Sequence, residues 1–381
     1  MEKRVVVAGH ICLDVIPQVD HHFDLLPGRL YEVGASLMAT GGAVSNTGIA
    51  LQILDVPVTL MGKLGDDSFG KTVLEVVKAR ACGLEKGFIV DPAASTSYSI
   101  VINIPGIDRI FLHNPGANAE YGADDVNYDL VKDAALFHFG YPSFMAKTYA
   151  NNGRELIEMY QRVKNCGTAT SLDPGMPDPK GPAGKADWLD IMRKLLPSVD
   201  IFMPSADELL FWLEPENFGK GDDLSPDDLC RLGGKMLELG TGIAAIKLGK
   251  RGLYLRSASI DRLKKLDAAC PDNLECWAGR ELWFPIFKEA VFKGATGAGD
   301  TTIAGFLASL LRNSSPEAAA TFACAVGACN VEAPDALGGI KTWQETNERI
   351  NKGWEKIPFQ VDAQGWCQDK DLFWHGPNDN A

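Results

Sequence analysis

Gly294-Ala295-Thr296-Gly297-Ala298-Gly299-Asp300-Thr301-Thr302 leads straight into apolar residues at Ile303, Phe306, Leu307, Leu310 and Leu311. Those positions follow the i, i+3, i+4, i+7, i+8 pattern, so a buried helix begins within or just after the glycines. A glycine loop feeding a helix N-terminus is an anion site. The first-turn N–H groups have no partners inside the helix, the dipole favours negative charge, and glycine lets a phosphate approach the main chain. Asp300 stands out there, because a bound anion repels its carboxylate. Two readings are open: a helix cap, the usual role of Asp at a helix start, or a general base that takes a proton from an attacking hydroxyl while the amides hold a transferring phosphoryl group. The chain has no G-x-x-x-x-G-K-[ST], no G-x-G-x-x-G after its first apolar run and no G-x-S-x-G. A Walker-type P-loop is therefore absent, and a classical dinucleotide-binding dehydrogenase and an α/β-hydrolase are disfavoured.

Outward from this loop, short apolar or β-rich runs occupy Val5–Gly9, Leu136–Gly140 and residues 168–173, 201–204 and 243–249, with longer amphipathic stretches between them. Runs without strict alternation suit strands buried on both faces, and helical spacers suit right-handed crossovers. The expected class is α/β, with a central mostly parallel sheet flanked by helices and its ligands beyond the carboxyl ends of the strands. His138, Asp173 and Lys247 fall at or near those ends, and His138 is the one better read as a loop residue. Two segments, 16–38 and 95–114, break the rhythm. In the second, alternation over Tyr98 to Asn103, a turn at Pro105-Gly106 and the run Arg109 to Leu112 spell a hairpin. It is either a lid or an edge hairpin. Residues 257–287 look irregular, and the 358–381 tail carries Trp366, Phe373 and Trp374, which suit docking. The expected organisation is one domain over residues 1–357, with lid segments 16–38 and 95–114, and a C-terminal tail.

With 37 Lys+Arg against 50 Asp+Glu in 381 residues, the chain carries a formal charge of −13 without a basic block. This argues against nucleic acid and against anionic lipid as partners. No uncharged apolar run approaches the ~18 residues of a membrane span, and the N-terminal apolar run is too short for a signal peptide. A cytoplasmic protein is expected. The nine cysteines are scattered, without a C-x-x-C pair, so neither disulfides nor a structural metal are expected; Cys324 and Cys329 read as buried thiols.

Gly294 to Asp300 resembles the C-terminal signature of the ribokinase-like carbohydrate kinases, the PfkB family, with Gly294-Ala295 where D-T is usual and G-A-G-D intact. Gly41-Gly42-Ala43-Val44-Ser45-Asn46 resembles that family's G-G-x-x-x-N, and Gly62 to Gly70 its G-x-x-G-x-D-x-x-G. Gly106-Ile107-Asp108-Arg109 and Pro115-Gly116-Ala117-Asn118 are similar to its lid strand and G-A-N. The resemblance implies a ribokinase-like fold with a small β-sheet lid, and transfer of the γ-phosphate of ATP, with Mg2+, to a hydroxyl of a small sugar. It implies Asp300 as base, with Gly297, Ala298 and Gly299 in the anion hole. Asp14, Gly42, Asn46 and Arg109 would meet substrate, although Asn46 also suits a helix cap and Arg109 an exposed edge strand. Lys247, Gly249, Gly252 and Asn330 would meet nucleotide; Lys247 also suits snorkelling to solvent and Asn330 helix packing. Glu208 would meet metal, or simply open a helix. Ser205 stands where the family's N-x-x-E has Asn, and Lys247 where Thr or Ser is common. A nucleoside kinase, with Tyr31, Tyr98 or Phe111 stacking on a base, and a catalytically silent sugar-binding regulator are the alternatives. A homodimer through the lid is also an expected arrangement.

Overall fold

In the run Val5-Val6-Val7-Ala8, Val5 and Val7 enter one hydrophobic core while Val6 and Ala8 enter another. A strand whose successive side chains point to opposite faces does this only when both faces are covered. The computed structural model describes residues 3–80, 83–107 and 109–380; Cys82 and Asp108 lie outside the described residues. Its strands are β1 (Val5–Gly9), β2 (Cys12–Pro17), β3 (Ser36–Gly41), β4 (Val58–Gly65), β5 (Phe88–Asp91), β6 (Tyr98–Ile102), β7 (Ile110–Asn114), β8 (Leu136–Gly140), β9 (Ala169–Asp173), β10 (Ile201–Phe202), β11 (Ile243–Lys247), β12 (Leu253–Ser257), β13 (Glu281–Phe284), β14 (Cys367–Gln368) and β15 (Trp374–His375).

The large sheet has the order β14-β15-β13-β12-β11-β10-β9-β8-β1-β4-β5. From β5 to β11 its neighbours are parallel, and from β11 outward to β14 they are antiparallel. One face packs on the helices Ala43–Ile53, Ala298–Leu311 and Pro316–Asn330 through Val44, Ile49, Ile303, Phe306 and Phe322. The other packs on Trp188–Leu195, Ala206–Leu213 and Pro226–Glu238 through Ile191, Leu209 and Leu229. The Ile303, Phe306, Leu307 and Leu310 stripe is fully buried in the first core, as its spacing requires.

A smaller sheet, ordered β3-β2-β6-β7, sits apart from the large one. Its strands β2 and β3 pair from Cys12 with Gly41 to Pro17 with Ser36, so pairing begins before residue 16 and ends after residue 38. Between them residues 18–35 form no strand, where Pro27-Gly28 interrupts the alternation. β6 pairs parallel to β2 and antiparallel to β7. Residues 257–287 are more ordered than their composition suggests, because Glu281–Phe284 pairs with β12 and buries Trp283. Trp366, Phe373 and Trp374 of the tail are buried, and β15 adds to the sheet edge beside β13. Among the described residues, no helix is long and apolar enough to cross a membrane.

Candidate active site

The carboxyl ends of β1, β8, β9 and β11 meet at the start of the helix Ala298–Leu311. Gly297 precedes that helix at φ 73°, and a side chain on it would place its Cβ 2.6 Å from that of Ala336. Only glycine fits there. The Ala298 amide donates to the Ala295 carbonyl at 3.2 Å and that of Thr301 to the Gly297 carbonyl at 2.9 Å, while Gly299 and Asp300 sit in the first turn between them. Asp300 is 2% exposed, and its side chain makes no capping bond to the helix. Its carboxylate instead accepts Asn46 Nδ2 at 3.0 Å, the Tyr141 hydroxyl at 2.8 Å from each oxygen, and the Thr47 hydroxyl at 3.4 Å. Burial pushes the Asp300 carboxyl above its ordinary range, while the Tyr141 and Asn46 donors pull it back.

On one side of the glycine loop opens a cleft of about 1100 Å3, and Asp14, Gly42, Asn46, Arg109, Gly297 and Asp300 all line it. Asp14 leans against Gly41, where any side chain would overlap its carboxylate. Burial raises the Asp14 carboxyl to about 6, against the donors Cys12 and Ser99. Asn46 is no cap: Gly42 holds the N-cap, and Asn46, inside the first turn, leaves its buried Oδ1 without a partner. Arg109 donates to the Thr296 hydroxyl, joining the small sheet to the glycine loop. Deeper in, His10 Nε2 lies 3.3 Å from His113 Nε2, and His113 Nδ1 lies 3.0 Å from the Ser99 hydroxyl. Both line the cleft, burial lowers both imidazoles, and His10 Nδ1 has no partner.

On the other side of the loop lies a mainly apolar cavity of about 290 Å3, where Lys247, Gly249 and Gly252 join Phe287, Phe292 and Ala328. Ala295 borders both spaces. Asn330 is not part of this lining; its amide donates to the Ala336 carbonyl at 2.6 Å and braces the chain after the helix. Lys247 does not snorkel. Its Nζ stands 3.0 Å from Asp173 and 3.9 Å from Glu208, and although burial lowers its affinity for the proton, the two carboxylates more than offset this. Glu208 opens the helix Ala206–Leu213 in a capping box, accepting the Ser205 amide at 2.6 Å while the Ser205 hydroxyl accepts its own amide at 3.4 Å. Ser205 also bridges to Lys247 across the sheet, so the two departures from the family pattern are neighbours. His138 points into the sheet, 3.1 Å from Ser171, and burial lowers it to about 3; it is a core residue.

Sequence reading passed over Tyr141, His10 and His113. The available signal was position: Tyr141 follows the last residue of β8 and His10 the last residue of β1, both at the edge where ligands bind.

The pfkB family carbohydrate kinase model matches residues 2–343. The chain is 30% identical over 212 residues to fructokinase-1 of Zea mays, a match covering 55% of this chain and 62% of that protein. Coverage of two Arabidopsis thaliana relatives is 59% and 62%, so the chain spans less than two thirds of the length of these curated relatives. Among solved structures, Arabidopsis thaliana ribokinase complexed with ribose and ATP is similar, with TM-score 0.70 and 20% identity over 91% of this chain and 98% of that one. Fructokinase from Xylella fastidiosa with bound ATP is similar at TM-score 0.70 and 20% identity, over 92% and 99%.

Proposed function

The chain belongs to the pfkB family of carbohydrate kinases, and from that premise we propose that it transfers the γ-phosphate of ATP to a hydroxyl, most naturally a hydroxymethyl, of a small sugar. The observation that carries this reading is Asp300: a buried carboxylate at a helix N-terminus that lines the larger cleft, beside Gly299, which lines the apolar cavity, and whose hydrogen bonds are not those of a cap. In this mechanism Asp300 takes the proton of the acceptor hydroxyl as that oxygen attacks the γ-phosphorus in line. A base whose affinity for the proton burial has raised suits that task. The first-turn amides of Gly299 and Asp300 face the charge that develops on the transferring group; the Ala298 amide is turned to Ala295 and contributes less than expected.

Asp14 and the free Oδ1 of Asn46 would accept sugar hydroxyls, and Gly42 lets the sugar approach the main chain. Lys247 would hold phosphate charge, and Gly249 and Gly252 the nucleotide edge. Among the described residues, no group of three or more His, Cys, Asp or Glu could hold a metal. Glu208, whose carboxylate accepts the Ser205 amide and lies 3.9 Å from Lys247 Nζ, would supply one oxygen to a Mg2+ ion carried mostly by phosphates and water. Bound there, the ion would neutralise phosphate charge. The small sheet would close over the sugar as a lid, and the half exposure of its residues Leu37, Met38, Phe111 and Leu112 supports a homodimer through that sheet. A cytoplasmic location fits the described cysteines, all of them free thiols.

Tyr98 and Phe111 line the cleft, which keeps a nucleoside acceptor as the second reading. Tyr31 does not; it stacks on Phe23 with centroids 4.4 Å apart. The test is Asp300→Asn, assayed for ADP release on the substrate found by screening pentoses, hexoses, sugar acids and nucleosides. Turnover should fall on the order of 100-fold or more, with calorimetric ATP and sugar binding retained. A folded variant that works at the wild-type rate would end this reading, and the silent regulator would be favoured if wild type bound sugar but released no ADP.

A further inference from the structure

Tyr141 takes the left-handed backbone region, at φ 63° and ψ 47°. For a bulky residue that conformation is a genuine outlier, which persists only where its surroundings over-determine it. Here they do. Its amide donates to the Asp173 carbonyl at 2.9 Å, and its own carbonyl accepts the Phe144 amide at 3.0 Å. The ring lies edge-on to Phe144, with centroids 5.4 Å apart, and beside His10 at 6.1 Å. A glycine, Gly175, clears the space against its Cδ1. All of this aims one atom: the phenol oxygen, 2.8 Å from both oxygens of Asp300.

We propose that Tyr141 is the positioning residue of the Asp300 base, its hydroxyl fixing the carboxylate's orientation and favouring its ionised form until the acceptor arrives. This rests on the reading of Asp300 as general base. The phenol has one proton and donates to one carboxylate oxygen, which leaves the other to receive the proton of the acceptor. The acceptor oxygen forms its bond to the γ-phosphorus as the bond to the β,γ-bridging oxygen breaks, ADP departs with that electron pair, and the proton on Asp300 then passes to solvent. Tyr141 keeps its own proton throughout. Burial and the neighbouring Asp300 both hold it in the protonated form.

The other groups facing Asp300 are Lys247 from β11, which favours its charge, and Glu208 and Asp173, which oppose it; Asn46 and Thr47 are neutral donors. With the phenol removed, nothing else in this set changes. Tyr141→Phe keeps the ring and its packing, so the acid limb of the kcat against pH profile should move up by about one unit. On the acid limb, at pH values below its inflection, kcat should then fall by roughly ten-fold relative to wild type at the same pH, with the KM for ATP unchanged. Installing 3-fluorotyrosine at position 141, a stronger donor of nearly the same shape, should move the limb down. That second measurement keeps the proposal open to refutation should the Phe variant fold poorly. An acid limb that stays in place in both proteins, or moves the same way in both, overturns the role of Tyr141. Asp300→Asn measured alongside separates the two failures: if that variant keeps wild-type turnover the base assignment is wrong, and if it is inactive while the limb stays in place, only the Tyr141 proposal is.

Discussion

Asp14 is a residue whose chemistry depends on where the fold leaves it. A carboxyl of ordinary value 3.8 is raised to about 6, first by burial. As a hydroxyl acceptor it must be ionised, so the KM for sugar should rise as pH falls below about 6, while the KM for ATP stays flat. Asp14→Asn should remove that dependence, and KM measured from pH 5 to 8 checks it. The sign for stability follows from the same shift. Because the folded value is raised, the stability contributed by protonated Asp14 is present below 3.8 and lost as pH rises through about 6. Asp14→Asn should therefore stabilise the protein relative to wild type more at pH 7 than at pH 4, as read by urea unfolding. That an Asp follows the first strand is legible in the sequence; its close approach to Gly41 is not.

The element proposed to close over the site is the small sheet. Alternation over residues 98–112 identifies its hairpin from sequence, because period two is a local property. The partner strands were harder to bound, since residues 18–35 form a loop that alternation alone does not separate from the strands beside it. Arg109 ties this sheet to the glycine loop through Thr296, a contact that the reading as an exposed edge arginine would not produce. Arg109→Ala should lower kcat/KM for sugar by on the order of ten-fold and raise ATP hydrolysis in the absence of sugar, because a loosened sheet admits water as acceptor. ADP release with and without sugar checks both. If neither rate moves, the contact does not govern closure.

Over the whole molecule, the large sheet is extended at one edge by the chain's last residues. Asp379 pairs with Arg280 at 2.7 Å, and both side chains are 5% exposed; Arg280 also meets Glu317 at 2.6 Å, and Asp379 meets His375 Nδ1 at 2.6 Å. Removing one member of a buried pair strands the other. Asp379→Ala should cost about 3 kcal/mol, the low end of the range for breaking such pairs, because Glu317 still meets Arg280. The fall in urea midpoint measures it, and an unchanged midpoint would mean that the tail is not part of the cooperative unit.

What the sequence determined by itself was everything written in short-range pattern: the doubly buried strands Val5–Gly9 and Leu136–Gly140, the helix after Gly297, and the hairpin. Such features depend on residues a few positions apart, whose periods and backbone freedom are local. The tertiary structure alone decided which groups share the site and in what state. Asn46 and Asp300 meet across 254 residues, Tyr141 and Asp300 across 159, and Asp173 and Lys247 across 74. No local pattern encodes those contacts. The same burial that brings these groups together excludes water, and that exclusion raises the Asp300 and Asp173 carboxyls and lowers the nearby imidazoles, while the partners that Asp300 finds across the fold are not those of a helix cap.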